Sequence, residues 1–211
     1  MSFDPSVIIE RCQVHGDDAG RSFRENTGQA LREMHAAVSA LERNPMKNAA
    51  QVKIEAAAMV RKRAEARNVL FDVNREGLRK RQADVAARVA NALRPPNPAE
   101  AQEIRAVLRS MSEKERYDLI NRAEGTDDHL SFLFAIAGVP AALSGLSPGK
   151  VLEAKNTLLA LKDPELLTLP AQLAKESTLL DKCERGFNDS VDELVDFDAA
   201  DALRQLAEEP Q

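Results

Sequence analysis

The sequence predicts an all-α fold: a long N-terminal helical hairpin of coiled-coil character, followed by a compact multi-helix domain. Three observations predict it. The run from Asn48 to Arg94 lacks proline, holds one glycine, Gly77, and ends abruptly at Pro95-Pro96-Asn97-Pro98. Apolar residues before and within that run recur at alternating spacings of four and three, the signature of a helical seam. Beyond Pro98 the chain is punctuated by cap-plus-proline signals at short intervals and has no convincing strand pattern.

A helix over 48–94 would make a rod of roughly 70 Å, far longer than the usual globular helix of about 11–12 residues. Such a rod must lie against a second helix, another subunit or an extended partner. The composition agrees with a folded, helix-rich, soluble chain: 211 residues, 44% apolar and 30% charged. Aromatic residues make up only 4%, with no Trp and one Tyr, Tyr117. The core is therefore expected to be built from Leu, Val and Ala. Alanine faces bury little area at about 25 cal/mol per Å², so long seams or oligomer contacts would have to make up the difference.

Along the chain, a short amphipathic turn or helix is expected around Pro5 to Val14, with a stop and new start at His15-Gly16-Asp17-Asp18. The first long helix is expected over about 18–43. In it Phe23, Thr27, Ala30, Met34, Ala37 and Leu41 form a heptad seam, broadened by Leu31 and Val38. Asn44-Pro45 ends it, and the short link to Asn48 suits an antiparallel hairpin. On the second helix Val52, Ala56, Met59, Arg63, Ala66, Leu70 and Val73 form the matching face. Near Gly77 the register slips by one residue and resumes as Leu78, Gln82, Val85, Val89 and Ala92, a skip that bends a rod or turns its stripe toward another neighbour. The first helix covers only half of the second, so residues near 76–94 are expected to contact the C-terminal domain or another subunit. The self-association seam is therefore read as Phe23, Met34, Leu41, Val52, Met59, Leu70 and Val73.

The later helices are expected near 98–110, 112–124, 127–137, 148–162, 164–175, 176–186 and 189–207. Asn97-Pro98, Ser147-Pro148 and Asp163-Pro164 supply caps with proline in the first turn, and Ser112-x-x-Glu115 is a capping box. The domain reading is a hairpin over 1–94, a proline-rich break at 95–98, and a compact all-α domain over 99–211 that ends in an acidic amphipathic helix.

Several function classes find little support. The opening MSFDPSVIIERCQ has no basic leader before its apolar triplet, so classical secretion is not expected. Phe132 to Leu143 is the longest strongly apolar stretch, but it contains Gly138 and Pro140 and falls short of the roughly 20 residues that span a bilayer. It reads as a buried core segment. Cys12 and Cys183 make no disulfide framework and fit a reducing compartment. Cys12-x-x-His15 could put a thiolate and an imidazole on one side of a helix, but a metal site needs three or four ligands. No phosphate-binding loop, dinucleotide fingerprint, HExxH or GxSxG is present. The expectation is a non-enzyme without cofactor or metal.

Charge is the stronger signal. Residues 1–96 carry a net +5 and residues 97–211 a net −10. The positive group on the long helix is Arg61, Lys62, Arg63, Arg67, Arg75, Arg79, Lys80 and Arg81, which could track phosphates or meet an acidic partner. These residues do not share one face, and Phe71 is the only aromatic among them, so a stacking platform is missing. The balancing group is the acidic amphipathic segment 181–211, which suits docking into a groove or onto the basic helix.

The stretch from Glu103 to Arg116 (EIRAVLRSMSEKER), the acidic pair Asp127-Asp128 and the stretch from Ala137 to Leu146 (AGVPAALSGL) resemble, in style, small helical virion-associated and assembly proteins of tailed bacteriophages. The resemblance implies a multicopy component of the head, neck or ejection apparatus, found in the virion or the bacterial cytoplasm. It transfers no catalytic or binding residue. The function expected is thus a self-associating structural protein with other structural proteins as partners. The alternative is a nucleic-acid-binding protein whose acidic C-terminal segment competes for the basic helix.

Overall fold

The computed structural model describes residues 18–123, 126 and 128–208, with backbone only for 18–22. The expected turn over 5–14, Cys12, His15 and Asp127 lie outside the described residues. Those residues form nine α-helices and one 3-10 turn, and no strand occurs among them. The helices are α1 Asp18–Glu42, α2 Ala49–Ala92, α3 Pro98–Ser110, α4 Glu113–Ala123, α5 Asp128–Ala137, α6 Ala141–Ser144, α7 Pro148–Lys162, α8 Leu169–Leu194 and α9 Phe197–Glu208, with the 3-10 turn Pro164–Leu167 before α8.

Local chemistry sets the starts. The Asn48 side chain accepts from Gln51 N at 2.8 Å while Gln51 Oε1 accepts from Asn48 N at 3.1 Å, a reciprocal box that satisfies two otherwise orphaned donors. Ser112 and Glu115 do the same for α4, and this bonding holds the Glu115 carboxyl below its ordinary value. Asn97 and Ser147 cap α3 and α7, each with proline in the first turn. Asp196 accepts from Ala199 N and opens α9.

The chain divides into two compact units, Met1–Arg79 with Ala174–Gln211, and Lys80–Leu173. This differs from the expected division at the 95–98 prolines. Both divisions fall inside helices, between Arg79 and Lys80 of α2 and between Leu173 and Ala174 of α8. The expected separate helices over 176–186 and 189–207 are also revised, because α8 runs unbroken to Leu194. The expected breaks fall at 175–176 and 187–188, yet helical spacing carries Leu173, Cys183, Phe187 and Val191 onto buried positions, and tertiary burial outweighs weak local preference.

In the first unit, Leu31, Met34 and Val38 of α1 pack with Ala56, Val60, Ala64 and Phe71 of α2 and with Cys183, Phe187 and Val191 of α8. The core is therefore shared by three helices. Its few aromatics are concentrated at one point, where Phe71 meets the Phe23 ring edge-on at 5.1 Å and the Phe187 ring at 5.8 Å.

In the second unit α5 is the central element. Leu133, Phe134, Ile136 and Ala137 pack with Leu108, Leu146, Ala154 and Leu158, as expected for the apolar stretch from Phe132. Leu93, just past α2, packs on this cluster. Gly138 permits the approach, since a Cβ there would stand 3.1 Å from the Leu93 carbonyl oxygen. Among the described residues no helix is long and apolar enough to cross a membrane.

Candidate interaction surfaces

Helix α2 carries every expected residue of the basic group and four of the seven seam residues, and its true orientation decides their roles. Its buried positions are Ala56, Ala57, Val60, Ala64, Arg67, Phe71, Leu78 and Val85. The second half of the expected stripe is right, because Leu78 and Val85 are buried and Gln82 and Val89 are half-buried. In the first half Ala56 is buried and Val52 and Met59 are half-buried, but from Arg63 to Leu70 the expected stripe is one residue out, with Ala64, Arg67 and Phe71 buried in place of Arg63, Ala66 and Leu70. Leu70 is 44% exposed and Val73 is 62% exposed, so neither belongs to an intrachain seam. Met34 is buried, Phe23, Leu41 and Met59 pack partly on the core, and Val52 is half-buried.

The reason for the one-residue error is Arg67. It occupies a core position, 9% exposed, that a pattern of apolar residues skips. Its guanidinium lies over the Phe23 ring at 4.5 Å and 5.9 Å from the Phe71 ring centre, where the negative ring faces attract a cation. Its Nη2 donates to the Phe23 carbonyl at 2.8 Å and to Thr27 Oγ1. Thr27 in turn donates to the Phe23 carbonyl at 2.8 Å. Arg67 Nε has no hydrogen-bond partner, and no carboxylate pairs with Arg67 among the described residues. Burial pushes its pKa below the ordinary arginine value, with nearby Cys183 opposing that shift.

An unpaired buried cation is costly to desolvate. Arg67→Met, which sets an uncharged side chain against the two rings and leaves Thr27 its own bond, is expected to raise stability by up to about 2 kcal/mol. Thermal and urea melts will check this. A loss above about 1 kcal/mol would mean that the cation–ring contacts outweigh the desolvation.

The other basic residues divide into two sets. Arg61 makes a two-pronged pair with Asp201 at 2.8 and 3.2 Å and sits 5.1 Å from the Phe197 ring centre. The paired hydrogen bonds and charge raise the arginine pKa and hold the Asp201 carboxyl below its ordinary value. Arg75 bonds Asp72 at 2.8 Å, pairs with Glu184, and lies 3.8 Å from Asp181. Lys62, Arg63, Arg79, Lys80 and Arg81 remain exposed. The acidic C-terminal segment thus meets the basic helix inside the first unit, through α8 and α9, at Arg75 and Arg61.

No protein-family model, curated protein or solved structure matches this chain. Its chemistry therefore has to be read from the side chains alone. Among the described residues, no three His, Cys, Asp or Glu side chains gather to hold a metal ion.

Sequence reasoning also missed the arginines of the second unit. Arg105 donates to Ala135 O at 3.2 Å, Arg109 to Leu143 O at 3.1 Å, and Arg116 to Leu108 O, Met111 O and Gly145 O. All three lie in the first stretch of the phage resemblance, and two of them reach into its second. The available signal was the run of helix C-termini at 110, 137 and 144, whose last carbonyls need donors.

Proposed function

We propose that the protein is a non-enzymatic helical structural or assembly protein that self-associates and joins a larger particle such as a tailed-phage virion. The observation that carries the self-association is the exposed apolar run Val69, Leu70 and Val73, on a helix whose opposite face is already packed. Exposed apolar residues in a contiguous group mark interaction surfaces. The coiled-coil part of the reading is confined to that outward face, because Met34, Leu41 and Met59 are engaged within the chain. The particle part rests on the resemblance of 103–116 and 137–146.

A second reading is nucleic-acid binding by the basic helix, held down by the acidic segment. The pairs Arg61–Asp201 and Arg75–Glu184 favour it. One experiment separates the two: light-scattering mass after size exclusion, at low and high salt, with and without duplex DNA. A defined homo-oligomer indifferent to DNA is expected. A monomer that shifts with DNA only at low salt would replace the assembly reading with the second, since phosphate contacts weaken steeply with salt.

A further inference from the structure

We propose that α9 is a latch that leaves the first unit by itself, with the core of α1, α2 and α8 intact, and that its leaving turns Arg61 from a paired cation into an available one. This goes beyond both readings above, since it holds under either and names the one part of the acidic segment able to let go.

The core does not depend on α9. Its buried members, Leu31, Val60, Phe71, Phe187 and Val191 among them, come from α1, α2 and α8, and α9 adds only the half-buried Phe197 at the edge. Within α9 Ala200 is buried, Phe197, Ala199, Asp201 and Leu203 are half-buried, and Leu206 is 68% exposed. A helix with so little buried surface belongs at the low end of local stability. The connection also permits a separate departure, because α8 ends at Leu194 and α9 begins at Phe197. Val195 and Asp196 therefore lie between two distinct helices, and α9 can go without unwinding α8. At 12 residues α9 is too short to be a stable helix alone, so undocking and unwinding coincide.

The catch is the two-pronged bond from Arg61 to Asp201, at 2.8 and 3.2 Å, with the guanidinium 5.1 Å from the Phe197 ring centre. Side-chain exposures of 42% and 49% leave this pair open to salt and to competing charge. The other acid–base contact is of a different kind. Glu184, which pairs with Arg75, stands on α8 between the buried Cys183 and Phe187, so it cannot move off without unfolding the core. With α9 away, Arg61 joins the exposed Lys62 and Arg63 in a run of three cations on α2, and the charge that the helix offers to an anion rises.

Hydrogen exchange of the full chain, read by mass spectrometry, tests the latch. Peptides from 197–208 are expected to exchange at least about tenfold faster than those from 183–194. Asp201→Asn and Arg61→Gln should each speed 197–208 about threefold and leave 183–194 as it was. Arg61→Asp with Asp201→Arg in one chain should recover most of that protection. On a heparin column Asp201→Asn should elute at higher salt than Asp192→Asn, which makes the same change of charge at an exposed position of α8. Equal exchange of 197–208 and 183–194 in the wild type would overturn the latch, since α9 would then open only with the core. Unchanged exchange in Asp201→Asn would overturn the catch, and coincident elution of the two Asn variants would overturn the release of Arg61.

Discussion

Phe71→Ala is expected to destabilise the first unit by about 3–5 kcal/mol, whereas Leu70→Ala, one residue away, should change the monomer by less than about 0.5 kcal/mol. Phe71 is fully buried between the Phe23 and Phe187 rings, and Ala, Val and Leu make up much of the core around it. Small neighbours cannot collapse into the space of a phenyl ring, so the cavity persists and its cost adds to the lost transfer energy. The same cavity would open beside Arg67, whose guanidinium lies 5.9 Å from the Phe71 ring centre. Leu70 already stands in contact with solvent, and its truncation in the monomer removes little burial.

Hydrogen exchange read by mass spectrometry can score the pair, because it resolves peptides from 23–79 and 174–194 while ignoring the second unit. Phe71→Ala should lose protection throughout those peptides; Leu70→Ala should lose none at dilutions where the chain is a single copy. Equal effects would mean that the helix is turned by one residue, which is the arrangement a simple heptad count favours.

That pair of neighbours also marks where the sequence is legible and where it is not. Several helix starts were legible because they depend on short-range chemistry: Asn97 with Pro98, Ser112 with Glu115, and Ser147 with Pro148 each act within four residues. The buried character of the stretch from Phe132 was equally plain, since a run this apolar has no other stable place in water. The face of α2 was not. Apolar counting places Leu70 and Val73 inside and arginine outside, and only the placement of Phe23 and Thr27 makes position 67 a tolerable site for a cation. The extent of α8 was hidden for a related reason. Its second half is held by Phe187 and Val191 packing on α1 and α2 residues more than a hundred positions away in sequence, and local punctuation carries no information about such partners. Of the basic group, the sequence supplied the residues but not the burial of Arg67 in the core or the pairing of Arg61 with Asp201 and of Arg75 with Glu184.

Arg116→Ala should destabilise the second unit by about 2–4 kcal/mol, and Arg116→Lys should recover only part of that. The Arg116 Nε donates to Leu108 O at 2.6 Å, one Nη to Met111 O at 2.7 Å, and the other to Gly145 O. Leu108 and Met111 lie at the end of α3, where Leu108 O takes only the Met111 N–H at 3.3 Å from the backbone and the last carbonyls need further donors. Gly145 closes α6 at a φ of 72°, a left-handed conformation suited to glycine. One planar fork therefore ties a helix terminus to a turn from a separate part of the chain. Each hydrogen bond to a charged donor contributes about 1.5–3 kcal/mol, but water can reach part of this cluster once the arginine is gone, which keeps the total below the sum. A lysine ammonium is a single point and cannot satisfy three carbonyls spread around a guanidinium. Tyr117 gives a local readout: it is the only Tyr in a chain without Trp, and it packs on the core of this unit. Urea unfolding followed by Tyr117 fluorescence should thus show an earlier midpoint for Arg116→Ala and an intermediate one for Arg116→Lys. Coincident curves for all three proteins would mean that the carbonyls are satisfied equally well by water, and that the Leu108–Ala137–Leu146 packing alone holds the unit together.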